Sequence, residues 1–209
     1  MSLDLIMMFS LTVFLTSIIP GPSMLLALTH GMQYGAKKTV MSALGNVTAT
    51  LIQALISVVG LGTLLMASET AFEVIKWLGA GYLVYMGVSM VRSSSEARVE
   101  NEKGELIELS SPLKMYFQSF LVTAGNPKAI IFFGAIFPQF IDSNMPIIPQ
   151  SIILVSICAL SAFCCFMAYG IGGQKASFLF SKSTVGVYVN RVVGGTFIGS
   201  GFALALSGK

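Results

Sequence analysis

Residues 16 to 26 read T-S-I-I-P-G-P-S-M-L-L, inside a stretch from Leu5 to Leu28 that contains no Asp, Glu, Lys or Arg. About 20 apolar residues span a hydrocarbon core of about 30 Å, so this stretch reads as a membrane crossing. Proline has no backbone N–H and clashes with the preceding turn, at a cost of about 3 kcal/mol in a helix interior, and glycine adds backbone entropy. Pro20, Gly21 and Pro22 therefore predict a crossing that is broken in its middle.

The rest of the chain fits a membrane setting. Of its 209 residues 55% are hydrophobic and only 10% charged, with a mean hydropathy of +0.82, against a charged fraction of about 25% in soluble domains. The net charge of +3 comes from cations scattered between apolar segments, which excludes a nucleic-acid face. Cys158, Cys164 and Cys165 share one apolar stretch with no metal-site or disulfide spacing, and read as reduced packing residues. Asp4 stands where a signal peptide would be basic, and no small-residue cleavage pattern follows, so the first segment is expected to stay in place.

Six apolar segments follow one another: Leu5 to Leu28, Val40 to Ala67, Val74 to Val91, Leu113 to Ile141, Ile147 to Ile171 and Val185 to Leu206. The expected fold is an all-α integral membrane domain over residues 1–209. Cytoplasmic loops collect Lys and Arg. Connections 29–39, 92–112 and 172–184 hold Lys37, Lys38, Arg92, Arg98, Lys103, Lys175 and Lys182, with Lys114 at the edge, and are expected in the cytoplasm. Lys76 alone counts the other way. Six spans then put both termini outside.

With three spans per half, the fourth segment enters the membrane in the opposite sense to the first. The halves, about 1–91 and 113–209, would be inverted repeats joined by the cytoplasmic connection 92–112. The fourth segment is also interrupted, at Gly125-Asn126-Pro127-Lys128. The third carries Gly79-Ala80-Gly81 and the sixth Gly194-Gly195. Broken helices at matching positions of two halves are how transporter repeats mark a midplane site. Freed N–H groups there favour a carboxylate, freed carbonyls favour an ammonium, and an amino acid carries both. A second reading treats Pro20-Gly21-Pro22 as a re-entrant turn, leaving five spans.

Lys128 is the cation to explain, because a Lys at a helix centre costs about 2.5 to 3.5 kcal/mol on insertion scales and such residues face a cavity or a partner. The plainer account is a side chain that snorkels to the boundary. Asp142, at the end of the fourth segment, and His30, where the first connection begins, are the candidates for a proton-responsive group. Arg191 reads as a cytoplasmic-side anchor. Gly45 with Ala49, Gly79 with Gly81 and Gly87, and Gly195 with Gly199 and Gly201 suit close helix packing. Tyr82 and Tyr85 fit an interfacial belt or a cavity wall. No metal cluster, nucleotide loop or nucleophile set is visible, which points away from an enzyme.

Several motifs in order resemble the LysE/RhtB family of amino-acid exporters: Pro20-Gly21-Pro22 with Leu25; His30, Gly31 and Gly35; Gly45-Asn46; Gly60-Leu61-Gly62; F-E-V-I-K-W-L-G-A-G-Y-L from Phe72; N-P-K-A-I-I-F-F from Asn126; and F-P-Q-F from Phe137. The resemblance is closest to the branch exporting homoserine, homoserine lactone and threonine. It implies efflux of small neutral amino acids from a bacterial cytoplasm across the inner membrane, driven by the proton gradient, with no cofactor. It makes Pro20, Gly21, Pro22, Gly45, Asn46, Asn126, Pro127 and Lys128 the substrate-binding candidates. Some relatives carry an acidic residue inside the fifth segment, where this chain reads L-S-A-F-C-C from Leu160. The partners implied are an amino-acid substrate and the bilayer, and a homo-oligomer is compatible with the sequence. Two alternatives stay open: a metal ion or another small solute as cargo, and a non-transporting module that binds a partner through 92–112.

Overall fold

The structure is a computed structural model that describes residues 1–59, 69–93, 111–142, 145–179 and 183–206. Gly60-Leu61-Gly62 and the cations Arg98, Lys103 and Lys182 lie outside the described residues. All described elements are helical: α1 (Leu3–Ile18), α2 (Pro22–Tyr34), α3 (Ala36–Val58), α4 (Glu69–Ser93), α5 (Pro112–Ala124), α6 (Pro127–Ile131), α7 (Ile147–Leu179) and α8 (Ser183–Leu206). Between α6 and α7 the chain continues as a π-helical turn, Phe132–Ile136, and a 3-10 turn, Phe137–Phe140.

Local chemistry sets the boundaries. The Ser2 side chain accepts the Leu5 N–H and caps α1. Three helices restart on proline at the first helical position, where its missing N–H removes nothing: Pro22, Pro112 and Pro127. The connection expected over Thr29 to Thr39 shrinks to Gly35, because α2 runs on to Tyr34 and the turn into α3 needs a φ of 78° that favours glycine. Likewise α7 continues through the expected connection 172–184 as far as Leu179.

Among the described residues two helices, α3 and the Ile147–Ser177 part of α7, are long and apolar enough to cross a membrane on their own. The pair α1 and α2, bent by 59°, and α5 with the Pro127–Phe140 helix, bent by 53°, qualify as one span each, giving up to four by length and composition. In α4, Glu69, Glu73, Lys76 and Arg92 dilute the apolar character.

Packing pairs each element of the first half with one of the second: α2 lies on α7, α3 on α5, and α4 on α8. Glycines make each approach close. Gly31 meets the backbone of Gly170, Gly45 the carbonyl of Tyr116, and Gly87 the backbone of Gly194, so that any added Cβ would strike main chain. By contrast Gly81, Gly195 and Gly199 face open space.

Around these contacts the apolar core forms three clusters. Leu83, Met86, Val193 and Phe197 fill the space between α4 and α8, and Met24, Ala27, Cys165 and Phe166 that between α2 and α7. The third joins Phe9 and Val13 of α1 to Phe132, Phe137 and Cys158, with Phe9 edge-on to Phe140 at 5.0 Å and to Phe137 at 5.7 Å. Cys158 and Cys165 are buried in these clusters, and Cys164 is exposed.

Candidate functional site

The two helix breaks face each other. At the first, Pro20 and Pro22 cannot donate to the carbonyls one turn before them, which leaves the end of α1 with acceptors that the helix cannot satisfy. Other elements supply the donors: the Tyr169 hydroxyl of α7 donates to the carbonyl of Ile18 at 2.9 Å, and the Lys128 ammonium donates to that of Ile19 at 2.8 Å. The C-terminal end of a helix carries partial negative charge, so a cation is favoured there. Lys128 thus reaches, half-buried, from the second break to the first.

At the second break, Asn126 caps α6 by accepting the Lys128 N–H at 3.1 Å, while its amide N–H donates to Ser23 Oγ at 3.0 Å. The Ser23 and Thr123 hydroxyls lie 3.1 Å apart, and Thr123 donates to Asn46 Oδ1 at 2.8 Å. Thr123 has one proton, so Ser23 donates to Thr123 and the chain runs one way: Asn126, Ser23, Thr123, Asn46. The Asn46 amide completes it, pointing to the carbonyl of Ala162 at 3.5 Å. Ser23, Asn46, Thr123 and Asn126 are all at most 3% exposed. Buried polar groups linked in this way fix the geometry of four helices at once.

This chain and Lys128 form one wall of a cavity of about 70 Å³. Thr16, Ser17 and Thr50 add hydroxyls, and Val13, Met24, Phe132, Phe133, Cys158 and Ala162 make the apolar side. The π turn shapes that side. Pro138 has no N–H to offer the carbonyl of Phe133 five residues before it, and the Ser57 hydroxyl donates to that carbonyl instead. No group of three His, Cys, Asp or Glu side chains that could hold a metal occurs among the described residues.

Of the sequence candidates, Asn46, Asn126 and Lys128 line the cavity, and Gly21 lies beside it, where a Cβ would come 3.5 Å from Lys128 Nζ. Pro20, Pro22 and Pro127 shape the breaks without lining it, and Gly45 serves the contact of α3 with α5. Asp142 is away from it, its backbone N–H and carbonyl gripped by the Gln150 side chain at 3.0 and 2.8 Å. His30 is buried in α2, outside the cavity wall. Neither Tyr82 nor Tyr85 reaches the cavity, and Trp77 is exposed, donating to Glu73 at 2.9 Å. Sequence reasoning missed Ser23, Thr50, Thr123 and Tyr169. The signal for two of them was present: Asn46 and Thr50 repeat four apart on one face of α3, as Ser119 and Thr123 do on α5.

Comparison with known proteins gives consistent relatives. The family model of the LysE type translocator matches residues 14–208. A homoserine/homoserine lactone efflux protein of Salmonella typhimurium is 34% identical over 146 residues, 70% of this chain and 69% of the relative. An uncharacterized membrane protein of Vibrio cholerae is 28% identical over 94% of both chains, and the uncharacterized membrane protein YrhP of Bacillus subtilis is 32% identical over 72% of this chain and 74% of its own. No solved structure matches. With the match covering nearly its whole length, the chain belongs to the LysE type translocator family, and is a multi-pass transporter of the bacterial inner membrane, not an enzyme.

Proposed function

We propose that this chain is a six-span secondary exporter of small amino acids and their derivatives, of the homoserine and threonine kind, driven outward by the proton gradient. The observation that carries the reading is the contact of Lys128 with the Ile19 carbonyl across two opposed helix breaks beside a polar-walled cavity. Lys128 occupies the acceptor that suits an ammonium. An incoming amino acid replaces it there with its own α-ammonium, and the released Lys128 turns to the substrate's acyl oxygens.

The relatives' cargo supports this assignment. Homoserine and its lactone share an ammonium next to an acyl oxygen, but the lactone has no carboxylate. A site that accepts both relies first on the acceptor for the ammonium, which here is the end of α1. The hydroxyls of Ser23 and Thr123 offer partners for a side-chain oxygen.

Inverted halves are supported by the packing. Taken as whole segments, the first (α1 with α2) lies on the fifth (α7), the second (α3) on the fourth (α5 with α6) and the third (α4) on the sixth (α8), and exchanging the first three segments for the last three returns the same set of pairs. Among the described cations, Lys37, Lys38, Arg92, Lys114 and Lys175 are exposed at the ends assigned to the cytoplasm.

The test is release of labelled homoserine, threonine, leucine and lysine from preloaded cells carrying the wild type, the empty vector or Lys128→Met. Release of homoserine and threonine that depends on Lys128 is the expected result. Release equal to the vector for all four would remove the reading, and equal release by wild type and Lys128→Met would remove the site.

A further inference from the structure

We infer that His30, clasped between Ser42 and Gln118, is the group that takes up and gives off the coupling proton, an inference that rests on the exporter reading above. The imidazole is 3% exposed. Its Nδ1 lies 2.6 Å from Ser42 Oγ on α3 and its Nε2 3.2 Å from Gln118 Oε1 on α5. The Gln118 amide N–H in turn points to Met86 Sδ of α4 at 3.7 Å, which fixes its oxygen toward the histidine.

These two partners differ in a way that matters. A carboxamide oxygen only accepts, so Nε2 carries a hydrogen in either protonation state. The Ser42 hydroxyl is ambivalent: it donates to Nδ1 of the neutral ring and, turned about its C–O bond, accepts from Nδ1 of the charged ring. A proton can therefore arrive and leave with no heavy atom displaced, which a backbone N–H at that position would forbid. The same set is poor for sodium, which needs a cage of several oxygens, whereas only two face this ring.

Among the described residues no charged side chain is hydrogen-bonded to the ring. The charged side chains on the elements packed against α2 are Lys37 and Lys38 of α3, Lys114 of α5, Lys175 of α7 and Arg191 of α8, and all are exposed. Tyr169 is committed to the Ile18 carbonyl and Cys165 packs with Met24 and Phe166. Tyr34 stands edge-on to the imidazole at 5.5 Å.

The group is also placed to report to the cavity. Ser42 precedes Asn46 by one turn of α3, and His30 follows Ser23 by two turns of α2, a rise of about 6 and about 10 Å along the axes. On α5, between Gln118 and Thr123 in the chain, Ser119 is fully buried with a hydroxyl that has no partner. Charging His30 thus acts on α2, α3 and α5, the helices that carry Ser23, Asn46 and Thr123.

The experiment uses purified protein in lipid vesicles and labelled homoserine, read in two ways: exchange without any ion gradient, and accumulation under an imposed pH gradient or an equal sodium gradient. For the wild type we expect exchange, and accumulation with the pH gradient only. His30→Gln, which keeps a hydrogen-bonding amide in the pocket, should retain exchange, a partial reaction that moves no net proton, and lose accumulation. Gln118→Glu should move the pH midpoint of accumulation upward by about 1 to 3 units, because a carboxylate beside the ring favours its charged form. Wild-type accumulation by His30→Gln, an unmoved midpoint in Gln118→Glu, or drive by sodium would each overturn the proton assignment. Absence of exchange in the wild type would instead overturn the exporter reading itself. If His30→Gln loses exchange as well, the midpoint of Gln118→Glu decides.

Discussion

The ammonium nitrogen of Lys128 stands 2.8 Å from the carbonyl oxygen of Ile19, so the cation of the second helix break satisfies an acceptor left over by the first. Lys128→Met keeps the stem but removes the ammonium that turns to the substrate's acyl oxygens, a charge-assisted hydrogen bond of about 1.5 to 3 kcal/mol, and so should weaken apparent substrate affinity by about ten- to hundredfold. The concentration dependence of efflux measures it, and Lys128→Arg should fall between the two. An unchanged dependence in Lys128→Met would separate Lys128 from the cargo.

Thr123→Val keeps the shape of the side chain but interrupts the chain from Asn126 to Asn46. Two buried groups, Ser23 Oγ and Asn46 Oδ1, lose a partner, at about 1 to 3 kcal/mol each. A lower melting temperature in detergent and weaker discrimination between threonine and leucine are the expected readouts. Wild-type values for both would show that the chain is incidental.

Tyr169→Phe strips the donor from the Ile18 carbonyl and should destabilise the break by about 1 to 3 kcal/mol, since the acceptor is left bare. The melting temperature checks this directly. A transport defect without any change in melting would point to Tyr169 touching the cargo.

Gly45→Ala places a methyl group against the Tyr116 carbonyl, where α3 cannot stay as close to α5, whereas Gly81→Ala meets nothing within 4 Å. The first should cost about 1 to 3 kcal/mol of packing, and the second should behave as wild type. Expression and monodispersity of the two purified variants make the comparison.

Membrane orientation is open to labelling. In a background with Cys158, Cys164 and Cys165 replaced, a cysteine at Ser2 should react with an impermeant reagent added to intact cells, and one at Lys37 only after permeabilisation. The opposite pattern would invert the assignment of connections 29–39 and 92–112.

The breaks were legible in the sequence because proline acts through a property it carries everywhere, the missing N–H. Pro20-Gly21-Pro22 and Asn126-Pro127 interrupt their segments whatever packs around them. Lys128 was legible for a similar reason, since a cation in an apolar segment demands a partner. Ser23, Thr123 and Tyr169 were not, because a small hydroxyl or a tyrosine is tolerated on any face of a membrane helix. Which face looks inward depends on the pairing of α2 with α7 and α3 with α5, and those partners lie more than 70 residues apart in the chain for Asn46 and Thr123. His30 was expected where a connection begins, since the turn signal before Lys37 and Lys38 looked long. Only Gly35 is needed for it, and the extra turns of α2 carry the histidine inside.

The pairing of α2 with α7, α3 with α5 and α4 with α8 also governs how the protein is made. A ribosome that has delivered the chain as far as Ser93 has released four helices, α1 to α4, whose principal partners have not yet been synthesised. Most native burial of the first half therefore waits for the second, and the nascent chain must be sheltered by the insertion machinery or by lipid until α5 emerges. Two polypeptides divided between Ser93 and Pro112 carry complementary faces, and should assemble into a working transporter when produced in the same cell.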